Sequence, residues 1–196
     1  MLASHNSWTY LKPRKWWMKL IGFTARCQNI NIFKQEKYNI KCFDLRVRIN
    51  SEDIAMCTHG LMEYCPVQDI LPSMEYLNNL AVQKDTHYYI RILHDVRNKK
   101  QYENSSAKLF SEWCSKLEKD FPALYFFGGN NLYNNEVDYT FNRNYSIYGH
   151  YGSVTPPTWF WGLFPWLYAK LHNHSSEIPK DCSDTFCMID FVQYWD

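Results

Sequence analysis

The sequence predicts an α/β fold built on a mainly parallel sheet. Two observations carry that prediction. Short runs alternate between apolar and polar residues, which is the period of a strand, and segments with apolar residues at helical spacing fall between them. Strands that take turns with helices need helical crossovers, and crossovers join parallel strands. The length of 196 residues suits one domain. Hydrophobic residues make up 46% of the chain and aromatics 18%, which excludes a disordered, collagen-like or coiled-coil protein.

The elements follow in order. Met1–Tyr10 opens with a short apolar piece that leads into His5-Asn6-Ser7. Lys12–Phe23 interleaves basic residues with Trp16, Trp17, Met18, Leu20, Ile21 and Phe23. Ala25–Tyr38 places Ile30, Ile32 and Phe33 among polar residues and reads as a helix. Ile40–Ile49 alternates cleanly, with Cys42, Asp44, Arg46 and Arg48 on one face and Phe43, Leu45, Val47 and Ile49 on the other, so it is a strand. Ile54–Thr58 is a second short strand, ending at His59-Gly60. Pro66–Val82 is helical, with Val67, Ile70, Leu71, Met74 and Leu77 along one stripe. His87–Val96 is a strand, Ser105–Phe121 a helix, and Pro122–Phe127 a strand closed by two glycines. Leu132–Pro157, rich in Asn, Tyr and Gly, reads mostly as loop. Trp159–Leu171 reads as an aromatic helix after two prolines, and Phe186–Val192 as the last strand.

Charge and cysteine use narrow the function classes. Lys and Arg number 21 and Asp and Glu 20, a net charge of +1. With no basic excess to release counterions, no nucleic-acid partner is expected. The seven cysteines are irregularly spaced and form no CxxC pair, so spacing suggests no zinc site. No basic start followed by an apolar core opens the chain, so reduced thiols and a cytoplasmic location are expected. The longest apolar run, Trp159–Ala169, is broken by Pro165 and falls short of the roughly 20 residues that cross a bilayer. Contact with a membrane surface remains open.

Polar residues capable of chemistry cluster at the ends of apolar strands: His5-Asn6, Asp44 with Arg46, His59, and Asp190. In a parallel barrel, catalytic groups gather at the carboxyl ends of strands. On the residues alone, Asp44 and Arg46 share a strand face, and a plain buried ion pair is the simpler reading. His59 alone reads as an ordinary loop histidine.

Four motifs together change that balance. SHNSWTY at Ser4–Tyr10, IKCFDLRVR at Ile40–Arg48, CTHGL at Cys57–Leu61 and MIDFV at Met188–Val192 occur in this order. Gln28, Ile32 and Gln35 precede the second motif. The set resembles the X-domain family of phosphatidylinositol-specific phospholipases C, with its opening His motif, its "Phe-Asp-Leu-Arg" strand, its "His-Gly" motif and its closing "Asp-Phe-Val". The resemblance covers residues 1–96 and 186–192. It implies a distorted or incomplete TIM-type (β/α) barrel and cleavage of a phosphodiester between glycerol and phosphate.

The resemblance also implies roles. The inositol 2-hydroxyl attacks phosphorus, so no side-chain nucleophile is needed. His5 would take the hydroxyl proton, and Asp190 would hold its imidazole in the right tautomer. Arg46 would neutralise the phosphate oxygens, His59 would protonate the leaving glycerol oxygen, and Asp44 would orient Arg46 or His59. Asn6 would lie beside the phosphate, and Arg91 and His94 near a further substrate contact. Calcium-dependent members carry Glu-x-Asp in the second motif. Here Asp44 and Arg46 hold those positions, which implies a metal-independent reaction with no cofactor. Asn6 departs from the aspartate common in that type, and the stretch between Phe127 and Phe186 is short for the later strands of a barrel.

Two aromatic segments suggest membrane contact. Trp16 and Trp17 stand among Lys12, Arg14, Lys15 and Lys19, and Trp161 lies in the dense cluster Trp159–Trp166. Tryptophan beside lysine suits a lipid interface, and burial in a core explains such residues equally well. The expected partner is therefore a phospholipid or inositol-phosphate substrate, with peripheral membrane contact. Two other readings stay open: a barrel phosphodiesterase for a soluble or glycerol-type diester, and a degenerate barrel that binds a phospholipid or phosphate without turning it over. The Asn-, Lys- and Tyr-rich composition suggests an AT-rich genome, viral or bacterial.

Overall fold

The structure, a computed structural model, describes residues 1–142, 145–151, 163–173 and 185–194. These residues fall into two compact units: Met1–Asp44 with Tyr145–Asp196, and Leu45–Asn144.

The first unit is built on parallel strands in the order β2-β1-β8-β7. They are β1 (Leu2–Ser4), the start of β2 (Cys42–Ile49), β7 (Ser146–Tyr151) and β8 (Thr185–Ile189). Two short helices lie between β1 and β2: α1 (Trp16–Ile21) and α2 (Ile32–Lys37). Asn31 caps α2, its side chain accepting from the Lys34 N–H at 3.0 Å. Helix α6 (Pro165–His172) precedes β8, so only the second part of the expected aromatic helix is described. Trp161 lies outside the described residues. The core of this unit includes Ala3, Trp8, Ile32, Ile40, Phe43, Phe186 and Phe191, all buried.

The second unit holds the rest of β2, the hairpin of β3 (Ala55–His59) and β4 (Met62–Pro66), and the parallel pair β5 (Tyr88–His94) and β6 (Leu124–Asn131). Its helices are α3 (Leu71–Lys84), α4 (Lys99–Asn104) and α5 (Ala107–Asp120). The interior includes Met74, Leu77, Tyr88, Ile90, Ile92, Phe110, Cys114 and Leu117, the periodic apolar residues of α3, β5 and α5. Most strand pairs among the described residues are parallel, as expected, and the exceptions are those of β3 and β4. β3 runs antiparallel to β2, with Val47 opposite Cys57, and β4 runs antiparallel to β3. A turn of two residues, Gly60 and Leu61, joins β3 to β4, which only antiparallel strands can use. At the end of β6, Gly128 and Gly129 have φ +97° and +84°, and a Cβ on Gly129 would sit 1.8 Å from the Tyr139 carbonyl oxygen. The backbone approach there admits only glycine.

Candidate active site

Strand β1 lies between two parallel neighbours, and its register fixes what stands level with its end. Ser4 pairs with Phe43 on one side and Ile189 on the other. The next residue on each strand is therefore His5, Asp44 and Asp190. The His5 N–H donates to the Ile189 carbonyl at 3.0 Å, continuing the ladder one step beyond β1. All three residues are buried.

Asn6 turns the chain sharply after His5. Its φ is +43°, a left-handed conformation that asparagine tolerates better than most residues. The turn is pinned from β2: the Asn6 N–H donates to Asp44 Oδ2 at 3.2 Å, the Ser7 N–H to the Asp44 carbonyl at 2.8 Å, and the Asp44 N–H to Ser7 Oγ at 2.9 Å. Asp44 thus anchors the loop that carries Asn6, a task beyond the orienting role expected for it.

The His5 ring is held at both nitrogens. Nδ1 lies 2.8 Å from Asp190 Oδ1, and Nε2 lies 2.9 Å from Asn6 Nδ2. An amide nitrogen only donates, so Nε2 accepts and Nδ1–H donates to the carboxylate. That tautomer leaves the basic lone pair on Nε2. Asn6 Nδ2 also lies 3.6 Å from Cys27 Sγ.

Two buried glutamines brace this arrangement. Gln28 Nε2 donates to the carbonyls of His5 at 3.2 Å and Ile189 at 3.0 Å, while its Oε1 accepts the Val192 N–H at 3.1 Å. It ties the end of β1 to both sides of Asp190. Gln35 Nε2 donates to the Ser7 and Ile30 carbonyls, and its Oε1 accepts from Ser4 Oγ at 2.7 Å. Ser4 and Ser7 hydroxyls also share a hydrogen bond.

The second unit gathers a different set. His59 ends β3, and the next residue, Gly60, has φ +63°. Its N–H donates to Asp95 Oδ2 at 2.8 Å, and its carbonyl accepts from Arg48 Nη1 at 3.0 Å. Asp95 Oδ1 accepts from Arg97 Nε at 2.8 Å. Burial alone would raise the Asp95 carboxyl, but the positive charges of Arg97, Arg46 and His59 prevail and hold it below the usual carboxylate value. Arg46, His59 and Arg97 therefore surround one fully buried carboxylate. Neither Asp95 nor Arg97 was legible in a motif. Asp95 sits at the end of an apolar strand run, and its partner Gly60 is far away in sequence.

Asp95 gives a prediction with a definite sign. Its folded pKa lies below the unfolded value of about 3.9, so its stabilisation is complete above that pH and is lost as pH falls through the folded value. Asp95→Asn is expected to cost about 1–3 kcal/mol at pH 7. The gap to wild type should narrow below pH of about 3.9, as measured by urea unfolding across pH.

The structure gives His94 a packing environment. It is fully buried, with Nδ1 2.6 Å from Asp138 Oδ2 and Nε2 2.8 Å from Ser105 Oγ, and its ring stacks on Phe110 at 4.5 Å. Burial lowers its pKa despite Asp138. The Ser-His-Asp order invites comparison with a nucleophilic triad. Ser105 is buried, however, and its hydroxyl accepts the Ile49 N–H at 2.9 Å, so it serves the fold. Arg91 lies on β5 opposite Phe127, half-buried. A cavity of about 480 Å³ near His87 and Tyr125 contains none of the residues that the sequence singled out.

His5, Asn6, Asp44 and Asp190 thus meet in the first unit, and Arg46 and His59 flank Asp95 in the second. No protein-family model matches the chain, and no curated protein matches its sequence. Solved structures similar to it include phosphatidylinositol-specific phospholipase C from S. aureus. One such structure, concerned with modulation of that enzyme's membrane binding, aligns at 15% identity and TM-score 0.47, covering 68% of this chain and 49% of its own. A variant of the same enzyme aligns at 18% identity and TM-score 0.46, covering 74% of this chain and 45% of its own. The chain thus spans less than half the length of the structures it matches.

Proposed function

We propose that this chain is a metal-independent phosphodiesterase of the phosphatidylinositol phospholipase C type, acting on phosphatidylinositol or a related phospholipid. One observation carries the reading. His5 is held by Asp190 at 2.8 Å in the tautomer that leaves Nε2 basic, at the carboxyl ends of parallel strands. That is the geometry a general base requires.

The steps follow from the residue types. His5 Nε2 takes the proton of the inositol 2-hydroxyl as its oxygen bonds to phosphorus. Asp190 stabilises the imidazolium that results. Arg46 offsets the charge that grows on the phosphate oxygens, and its planar fork suits two of them. The bond from phosphorus to the glycerol oxygen breaks, and His59 gives that oxygen a proton. The products are diacylglycerol and an inositol cyclic phosphate. Asp44 fixes the Asn6 turn, and Asp95 fixes the loop after His59. Asn6 contacts the phosphate once its amide leaves Nε2. An incomplete (β/α) barrel of one domain is the architecture this reading requires.

A specific observation favours a second reading. His5 is buried, and its Nε2 already accepts from Asn6. A chain that keeps this hydrogen bond binds a phospholipid or phosphate without turnover. Cleavage of phosphatidylinositol in mixed micelles with EDTA separates the two. Release of inositol phosphate with a bell-shaped pH–rate profile supports the enzyme, because a base and an acid must each be in the correct state. Absence of turnover at every pH, with phosphatidylinositol micelles still bound, supports the binder.

The substrate class suggests a peripheral approach to lipid. Among the described residues no helix is long and apolar enough to cross a membrane. Helix α1 instead exposes Trp16 at 73% and Leu20 at 67%, with Trp17 and Ile21 also exposed, beside Lys15 and Lys19. Exposed tryptophan on a basic helix docks on anionic interfaces. The double variant Trp16→Ala/Trp17→Ala is expected to reduce flotation with phosphatidylinositol-containing liposomes at least tenfold. Unchanged flotation would remove α1 as the contact.

A further inference from the structure

Spacing along the chain marks no cysteine pair, yet the β3–β4 hairpin sets two thiols side by side. Met56 pairs with Pro66 and Thr58 with Glu63, and the register shifts between them. Cys57 therefore faces Tyr64 and Cys65, one residue of β3 against two of β4, which is a bulge. The thiols of Cys57 and Cys65 share a hydrogen bond. On its other side Cys57 pairs with Val47 of β2, so both neighbouring strands hold it. Facing residues of antiparallel strands have Cα atoms about 4.5–5.5 Å apart, inside the span of about 4.4–6.8 Å that a disulfide bridges.

The two sulfurs differ in access and in acidity. Cys57 is buried, whereas Cys65 is part-exposed; among the described cysteines, Cys65 alone is not buried. The hydrogen bond from Cys57 lowers the Cys65 pKa, although partial burial and the charge of Asp69 oppose it. Burial above all raises the Cys57 pKa, with its bond to Cys65 and the charges of Cys65 and Asp69 adding to it. The thiolate is the reactive form, so Cys65 is the nucleophile and Cys57 its resolving partner. An accessible, acidified thiol beside a second thiol is the arrangement of a redox-sensing pair.

We propose that Cys57 and Cys65 are a peroxide-oxidised pair whose reversible disulfide displaces the turn that carries His59. The Cys65 thiolate attacks a peroxide oxygen. A sulfur–oxygen bond forms, the oxygen–oxygen bond breaks, and the hydroxide that leaves takes the Cys57 proton to become water. The Cys57 sulfur then attacks the sulfenic sulfur of Cys65. The disulfide forms, the sulfur–oxygen bond breaks, and a second water leaves. Two thiols lose two electrons, and one peroxide is reduced to two waters; a dithiol reductant reverses the step. Only Thr58 separates Cys57 from His59 at the end of β3. The new bond draws β3 and β4 together below the turn of Gly60 and Leu61, whose Gly60 N–H also holds Asp95. That consequence for turnover rests on the role given to His59 above; the disulfide itself does not.

The test uses the full chain, reduced and then freed of reductant. Hydrogen peroxide is added, free thiols are blocked after denaturation, and peptides are mapped by mass spectrometry. The expected product is one disulfide, Cys57–Cys65, with a mass loss of two hydrogens that dithiothreitol reverses. Cys57→Ser should leave a sulfenic acid at Cys65 that dimedone traps, and Cys65→Ser should leave Cys57 a thiol. Circular dichroism confirms that each variant is folded. No Cys57–Cys65 disulfide from folded wild type, or Cys65 carried to sulfinic acid with Cys57 still a thiol, overturns the proposal. The mapping is read without substrate, so it tests the pair even if the chain proves to bind lipid without turnover. If turnover is seen, peroxide should lower wild-type kcat at least tenfold, dithiothreitol should restore it, and Cys65→Ser should keep its kcat under peroxide. Oxidised wild type with full kcat contradicts the displaced turn.

Discussion

Replacing His5 by alanine is expected to lower the turnover of phosphatidylinositol by about 10²–10⁴-fold, the contribution typical of a positioned base. The physical reason is the order of three groups. Asp190 accepts from Nδ1, which fixes the ring and leaves Nε2 as the basic nitrogen. Without the imidazole, no other described residue stands at that row of the sheet with a proton acceptor on a histidine ring. Asp190→Asn should act through His5 and not by itself. The asparagine keeps a hydrogen bond but removes the negative charge that stabilises the imidazolium. It should therefore reduce kcat far more than it raises KM. Steady-state kinetics on mixed micelles separates the two constants. A His5→Ala protein that is folded and retains more than about a tenth of wild-type kcat would contradict this assignment.

The second large effect concerns stability. Gln28→Leu should destabilise the chain by about 2–6 kcal/mol, because two buried backbone groups lose the side chain that bonds them, at about 1–3 kcal/mol each. Those groups are the carbonyl of His5 and the N–H of Val192, whereas the Ile189 carbonyl keeps the His5 N–H. Leucine fills similar volume, so the cost reports hydrogen bonding and not a cavity. Against a typical total of about 5–15 kcal/mol, the loss brings the fold close to its limit. Urea unfolding measures it. A control at the exposed cap, Asn31→Ala, should cost only about 1 kcal/mol. A Gln28→Leu protein as stable as that control would show that the brace is not needed.

Much of this was legible in residue order. The alternation through Phe43, Leu45, Val47 and Ile49 defined β2, because both its faces carry a clean period of two. The apolar stripes of α3 and α5 defined those helices. Among the elements that residue order did not reveal, three have a plain physical reason. Strand β7 lies in a stretch rich in Asn, Tyr and Gly whose strand character comes from pairing with β8, far along the chain. Strand β4 is five residues long and ends in proline. Helix α4 has no buried residue, so no apolar stripe marks it.

The site divides in the same way. His5 and Asp190 stood out because each follows an apolar strand within a motif, and Asp44 because it is a carboxylate inside one. Gln28 and Gln35 were visible as companions of the second motif, but their bracing role depends on hydrogen bonds to β1 and β8. Asp95 and Cys65 were invisible. Their importance lies in what folding brings to them: the Gly60 amide to one, the Cys57 thiol to the other.

The central claim is that this chain cleaves a phosphodiester with its own histidines and arginine. The most direct test is phosphorus NMR of phosphatidylinositol micelles incubated with the protein in EDTA. The account predicts a cyclic inositol phosphate signal that grows with time and is absent with His5→Ala and with His59→Ala. Folded wild-type protein that produces no such signal, or a signal that persists in both variants, would contradict it.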